Sequence, residues 1–536
     1  MGRHVDPMSI AGEEAQAEER FPIVVVGAGP AGCAAAAEAA AHGVPVLLVD
    51  EHPVEPGLIG LDVPYHFGQR ADGSVQNRGR MLERVVETNP ALAEAFERGV
   101  EIRLGTTVWG AFANGPTVGC LPEPLLGLAD GGRSWLVGYR RLIVAAGRRD
   151  LGLVFPGWEQ PGVMGVTALH ALVERYGAFA GRRIVMLGSG AEALVAVLAA
   201  LEAGLEVAAV VEVAPSPLGP PDLVSAVEAA RVPLLTSTVI AGTDGAAGGV
   251  EAARLQRLDD QGTPRLSAEQ TIACDTVCLG VGAVPNVEIF DLLGCRLAYR
   301  PELGGHVPVT DEVLCTSLPE VHAAGDCTGV TPGKSLDPGV AAAEGRLAGG
   351  QAAASLGATP RAAPALPARD RASHVGAGAS LEAWIRAVQA TAREDLVICQ
   401  CEEVTRADLI GVRPPRYLGA ASPGFARRGL DTLLAGGPLN QDQVKRLTRA
   451  GMGACQGRRC REQVAALLTL AADTAAPDVP PLPTYRPPLR PLPLAVLQDD
   501  REPEAMRERW HPWFGIASQW TPPWELDQGE QASRGD

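Results

Sequence analysis

Several signals are missing from this sequence. No apolar run in the 536 residues is long enough to span a bilayer, so membrane contact is expected to be peripheral at most. The opening segment 1–20, ending EEAQAEER, is acidic and has no apolar centre. It reads as a disordered extension and not as a secretion signal, and the expected location is cytoplasmic. Positive charge is in deficit: 46 Lys and Arg stand against 63 Asp and Glu, a net −17, which argues against nucleic acid as a partner. No Ser/His/Asp or paired-carboxylate arrangement is recognisable, so no residue is assigned as a general acid or base. What remains is a chain 46% hydrophobic and 20% charged, long enough for roughly three or four domains with sizeable cores.

The most informative stretch is Ile23–Glu51. Ile23–Val26 is a short apolar run of the kind that fills a buried parallel strand. Gly27, Gly29 and Gly32 then form GxGxxG, with Pro30 and Ala31 inside it. The first glycine permits the tight turn, the second lets backbone approach a pyrophosphate, and the third lets helix pack on strand. A second strand, Val46–Val49, ends at Asp50, placed to accept from ribose hydroxyls, and Glu51 follows. Strand, glycines, helix, strand and acid in this order predict a dinucleotide site; the alternative is a glycine turn without a ligand. The irregular segment after Glu51, which contains Gln69 in HFGQR, falls where a flavin ring would lie. Arg80–Phe96 reads as a helix, with short strands at Val100–Leu104, Thr107–Phe112 and Ser134–Tyr139. Arg141–Gly147 reads as a strand whose small turn, Ala146-Gly147, brings the chain back past the nucleotide.

Beyond a turn-rich crossover, Phe155–Val163, the pattern repeats. Strand Arg183–Leu187, the turn GSGAEA, a helix and strand Glu206–Val211 place Gly188, Gly190 and Ala193 at the three turn positions and Glu212 at the ribose position. Glu212 without a nearby Arg favours NAD or an adenine nucleotide over NADP; the alternative is a decayed site that keeps only the fold. Cys274–Pro285 repeats the closing strand, so the two units amount to an internal duplication. Neither contains C-x-x-C, which disfavours a dithiol reductase. Further on, Gly325-Asp326 follows the short strand Val321–Ala324. Asp326 is placed to accept from a flavin ribityl chain or, alternatively, to cap a turn. The helix Pro338–Gln351 comes next.

Four of the eleven cysteines fall late, as Cys399-Gln-Cys401 and Cys455-Gln-Gly-Arg-Arg-Cys460. Two close pairs suit a [2Fe–2S] cluster, tetrahedral zinc or plain thiols; C-x-C with C-x4-C is less usual for zinc. The glycines of GMGAC stand where backbone must bend round a ligand. The other seven cysteines read as buried small hydrophobes. Residues 355–380 are rich in Ala and Pro and read as a linker, 381–474 as a small domain, and 475–536 as a tail. The tail begins with a proline-rich extended stretch. It ends with Trp510, Trp513, Trp520 and Trp524, half of the eight tryptophans, which dock either on a partner or back on this chain.

GAGPAGCAAA with its VDE acid, FPGWEQPGVMG, GSGAEA, AAGDCTGV, CQCEEVTRADL and TRAGMGACQGRRC together resemble the alpha subunit of heteromeric bacterial amino-acid dehydrogenases. These are the opine, dye-linked proline or hydroxyproline dehydrogenase and hydrogen cyanide synthase group. The resemblance implies an α/β fold of two Rossmann-like domains of disulfide-reductase type. FAD-binding parts at 21–150 and 289–354 would flank a second nucleotide domain at 151–288. A small bacterioferritin-associated-ferredoxin-like [2Fe–2S] domain would follow. By the same resemblance Gly27, Gly29, Gly32, Asp50 and Asp326 fall on FAD, and Cys399, Cys401, Cys455 and Cys460 on the cluster. Gly188, Gly190 and Glu212 fall on a second site holding ATP or NAD. It further implies a hetero-oligomer in which a beta subunit of D-amino-acid or sarcosine oxidase type oxidises a secondary-amine amino acid. The resemblance also leaves room for an FMN at the subunit boundary and for a small gamma subunit. Two departures stand out. Pro56-Gly57-Leu58 replaces the family's GGQ run, leaving Gln69 as the nearest Gln, and Ile410–Pro438 reads as an insertion that loops out. The competing expectations are a self-contained NAD(P)H-dependent flavin/iron–sulfur reductase and a non-catalytic scaffold with structural nucleotides.

Overall fold

The run Ile23–Val26 forms the end of a strand, Glu19–Val26, in the middle of a seven-stranded sheet. On one side lie Val46–Asp50 and then Glu101–Leu104; on the other lies Ser134–Val144, and all three pairings are parallel. This is a computed structural model, and it describes residues 17–51, 68–114, 121–359, 366, 377–390, 392–415, 417, 428–472 and 481–497. The loop after Glu51, Cys120, most of the 355–380 linker and the tail tryptophans lie outside those residues.

Ser134–Val144 is one strand where the sequence suggested two, because it serves two partners along one edge. Its first half pairs antiparallel with Leu125–Ala129, which the sequence reading missed, and its last residues pair parallel with Val321–Ala323. The expected helix over Arg80–Phe96 is two, Arg78–Glu87 and Pro90–Glu97. They part at Asn89 because Pro90 lacks an N–H and drives the preceding residue out of helical geometry.

A second sheet repeats the plan with five parallel strands in the order Leu234–Leu235, Glu206–Val211, Arg183–Leu187, Thr276–Leu279 and Val163–Gly165. A three-stranded antiparallel sheet, Thr238–Ala246, Gly249–Leu258 and Pro264–Ala273, is attached to it. The two units meet at an antiparallel strand pair, Arg148–Asp150 with Ala283–Pro285.

Small residues set the helix packing of the first unit. A β-carbon on Gly345 or Gly349 would overlap the carbonyl of Ala31 or Ala35, so helix Pro338–Ser355 lies directly on the alanine-rich helix Pro30–Ala41. In the C-terminal part, helix Ala377–Gln389 begins inside the expected linker. Strand Val397–Cys399 and helix Arg461–Ala471 carry cysteines at their ends. One apolar cluster runs unbroken from Phe155, Trp158 and Val185 of the second unit to Trp384, Ile398 and Leu468 of this part. An apolar interface of that kind fixes the two parts against each other. Among the described residues no helix is long and apolar enough to cross a membrane.

Candidate functional site

The first glycine turn is built by close backbone approach. Gly27 has φ +105° and donates its N–H to Val49 O at 2.8 Å. A β-carbon on it would overlap Ala145 O, and one on Gly32 would overlap Gly27 O. In front of Gly29 the space is open. Gly29 begins helix Pro30–Ala41 without a side-chain cap, and the first turn holds no acid, so its free N–H groups and positive dipole end suit a phosphate. Pro30 is exposed, and Ala31 is buried against Gly325. Asp50 is buried at the strand end and accepts from Ala28 N. Glu51 turns instead to Arg490, which donates from Nε at 2.9 and 3.1 Å.

Ala146 and Gly147, the latter at φ +68°, lie beside this turn; their carbonyls accept from Asn286 Nδ2 at 2.8 Å and Asn286 N at 3.0 Å. Gly325-Asp326 is braced from below. The buried pair Lys334–Glu344, 2.9 Å apart, holds Gly325 N on Glu344 at 2.8 Å and Gly325 O on Lys334 Nζ at 2.9 Å. The Asp326 side chain does not cap its turn, and its Oδ1 is buried without a partner. An unsatisfied carboxylate oxygen there, with the open ground before Gly29, fits FAD laid along the turn. Gln69 is exposed at φ +58°, and the segment before it is outside the described residues.

The second turn copies the first. Gly188 has φ +96°, donates to Val211 O at 2.8 Å, and would overlap Gly280 O if it carried a β-carbon. Open space again fronts Gly190. The buried Glu212 accepts from Ser189 N at 2.9 Å, Ser189 Oγ at 2.7 Å and Ala214 N at 3.1 Å. A cavity of about 1080 Å³ opens here, lined by Gly188, Gly190, Glu212, Tyr299, Trp384 and Arg386 among others. That volume is at the upper end for a small-molecule site. An acid, Glu192, sits in the first helical turn and is bound to Arg148 Nη1 at 2.6 Å and Ser335 Oγ at 2.7 Å. The same Arg148 nitrogen lies 3.5 Å from Asp326 Oδ2, so one guanidinium spans the two turns.

The four late cysteines meet. Cys399 hydrogen-bonds with Cys460, and Cys401 with Cys455. The Cys460 contact holds the Cys399 thiol below its ordinary range, whereas the same pairings push Cys401 and Cys460 up, with burial adding to the rise at Cys460. Gly451, at φ +81°, donates its N–H to Cys399 Sγ at 3.4 Å, and a β-carbon on Gly453 would overlap that of Cys401. Among the described residues no group of three or more His, Cys, Asp or Glu is spaced for a single metal ion. Two thiol pairs, each drawn from both segments, fit a binuclear centre better than tetrahedral zinc. Within the described part of the insertion, the Tyr417 hydroxyl bonds Glu402, next to Cys401, as does Arg449 Nε at 2.6 Å.

Sequence reasoning missed the residues that join this centre to the glycine turns. Arg149, two residues past Gly147, donates from Nε to Arg458 O at 2.9 Å, and Gly152 packs against Arg459 O with no room for a side chain. Arg149 also reaches Glu288 at 3.0 Å and Glu462 at 2.7 Å, with Arg461 on the same two acids at 3.4 and 2.5 Å. Burial would raise Glu288, yet Arg149, Arg461 and Arg490 hold it down at about 2. Isolated arginines and glutamates carry no periodic signal, which is why only their proximity to Gly147 and Cys460 along the chain could have marked them. The proline-rich stretch Pro481–Leu497 straps across the same region. Leu489 N donates to Trp109 O at 2.7 Å and Arg458 Nη1 to Leu489 O at 2.6 Å.

Comparison with known proteins follows this division. Residues 21–353 match the model of the pyridine nucleotide-disulphide oxidoreductase family. The chain is 29% identical over 512 residues to an opine oxidase subunit of Rhizobium meliloti, covering 90% of this chain and 99% of that one. It is 27% identical over 471 residues to hydrogen cyanide synthase subunit HcnB of Pseudomonas aeruginosa, covering 82% and 90%. Among solved structures, L-proline dehydrogenase from P. horikoshii superposes with a TM-score of 0.59 over 90% of this chain and 80% of that one, at 18% identity. The resemblance drawn from the motifs therefore holds.

Proposed function

The chain belongs to the pyridine nucleotide-disulphide oxidoreductase family and is an oxidoreductase subunit; on that premise we propose that it is the electron-transfer subunit of a heteromeric flavin-dependent dehydrogenase. The substrate class is a secondary-amine amino acid of opine, proline or hydroxyproline type. Its oxidation takes place on a partner of D-amino-acid or sarcosine oxidase type, with FMN at the boundary between the two. In this reading Gly27, Gly29, Pro30, Ala31, Gly32, Asp50, Ala146, Gly147, Gly325 and Asp326 hold FAD, and Cys399, Cys401, Cys455 and Cys460 hold a [2Fe–2S] cluster. Gly188, Gly190 and Glu212 hold ATP or NAD. FAD supplies two-electron chemistry and the cluster one-electron exchange.

The observation that carries the reading is the seat of the cysteine loop. Arg149 and Gly152 fasten residues 458–459 immediately beyond the Ala146-Gly147 turn, through a 2.9 Å hydrogen bond and a contact too tight for a side chain. The chain's own residues therefore do the positioning. Gly27–Gly32 and Asp326 orient one group, the thiol pairs hold the other, and the Arg149–Glu288–Glu462 network ties the cysteine loop to the strand that follows Gly147. Glu51, which also pairs with Arg490 of the strap, and Gln69 complete that proposed FAD set.

The test is anaerobic mixing of the intact complex. An opine or proline substrate should bleach the flavin absorption within turnover time, and NADH should leave it unchanged. Bleaching by NADH alone would support the self-contained reductase and end this proposal.

A further inference from the structure

We propose that Arg458 sets the reduction potential of the metal centre at Cys399, Cys401, Cys455 and Cys460 by supplying an unneutralised positive charge beside it. The inference rests on the reading of those thiols as [2Fe–2S] ligands. It adds the residue that tunes the centre, a role distinct from holding it.

Arg458 stands inside the Cys455–Cys460 loop and is 3% exposed. Its Nη1 donates to Leu489 O at 2.6 Å, but Nε and Nη2 are buried with no hydrogen-bond partner. A guanidinium cannot shed its proton to escape such a setting. Leaving its donors dry and unpaired is strongly unfavourable unless an anion offsets the charge. The neighbouring arginines are each answered: Arg149 and Arg461 by Glu288 and Glu462, Arg490 by Glu51. Among the described residues Arg458 has no carboxylate within ion-pair reach. At longer range its charge is repelled by Arg490 and favoured by Glu288, the Cys455 thiol and Glu51. Four thiolates around two irons and two sulfides carry net negative charge in both redox states, more of it when reduced. An adjacent buried cation therefore favours the reduced form, and the low local dielectric magnifies the effect. Glu288, which lies near Arg458, opposes it.

Redox titration of the complex as purified, read by electron paramagnetic resonance, tests this. Arg458→Gln should make the centre harder to reduce by about tenfold in the equilibrium constant, or about 59 mV for a one-electron couple. Arg458→Lys, which keeps the charge, should stay within twofold. Glu288→Gln should shift the potential the opposite way by a smaller factor, which keeps the test open if Arg458→Gln fails to fold. The proposal is overturned if Arg458→Gln retains its iron and sulfide with the potential unchanged, if the Gln and Lys variants shift alike, or if Glu288→Gln lowers the potential. Wild-type protein without iron and sulfide would instead defeat the ligand assignment itself, a result told apart by metal and sulfide analysis before any titration.

Discussion

The two glycine turns of this chain share a backbone and differ in what surrounds it. Each begins with a glycine at positive φ donating 2.8 Å to the neighbouring strand, and each returns past a carbonyl that no β-carbon could clear. In the first, the third position is Gly32, jammed on Gly27 O, the opening helical turn has no acid, and an orphaned Asp326 oxygen waits alongside. In the second, the third position is Ala193, Glu192 occupies the opening turn, and Ser189 and Ala214 engage both oxygens of Glu212. The lesson is that the fold duplicates while the ligand chemistry is set by two or three side chains around the turn. The first is open to a flavin pyrophosphate; the second already holds a carboxylate at its helix N-terminus, balanced by Arg148.

The largest expected effect tests the third turn position. Gly32→Val should abolish bound FAD in the purified protein, since its side chain would displace the Gly27 carbonyl. The matching change, Ala193→Gly, should leave FAD in place and cost about 1 kcal/mol of stability by helix propensity. Equal FAD loss in both variants would break the distinction. Next comes Asp150, at the joint between the units. Burial, aided by repulsion from Glu192, outweighs the hydrogen bonds from Thr167 and Ala168 and raises its carboxyl from 3.8 to about 6. Its folded pKa lies above the unfolded one, so its contribution is whole below about pH 4 and lost as pH rises through 6. Asp150→Asn removes that dependence and should gain about 3 kcal/mol over wild type between pH 4 and pH 7, measured by denaturant unfolding. A constant difference across that range would show that Asp150 is not the titrating group. The smallest effect concerns the second turn. Glu192→Gln removes the carboxylate from the opening turn of the second helix and should tighten ADP binding several-fold by calorimetry, roughly 1 kcal/mol. Unchanged affinity would mean that Glu192 is not what separates the two sites.

Both turns, their flanking strands and their acids were legible in sequence because hydrophobic period and glycine position are local signals. Strand Arg183–Leu187 and strand Glu206–Val211 appear at the expected residues. Leu125–Ala129 was not legible, since its short apolar run is strand only by virtue of pairing with Ser134–Val144. The four cysteines could be grouped from spacing, but their pairing across segments could not. Arg148, Arg149, Arg458 and Arg490 escaped notice for the same reason. Each matters through a partner far along the chain, and an arginine carries no mark of which partner it will find. Glu51 is a further case: its position beside Asp50 is plain in the chain, but its ion pair with Arg490 is not.

Arg490 and Glu51 are 439 positions apart, and the strand Val321–Ala323 enters the first sheet only after the whole second unit has been threaded. During synthesis, then, the opening third of the polypeptide leaves the ribosome with its sheet unfinished and its clasp still unmade. A chain stopped before Val321 lacks the strand that completes that edge of the first sheet, and one stopped before Arg490 leaves Glu51 without its ion pair.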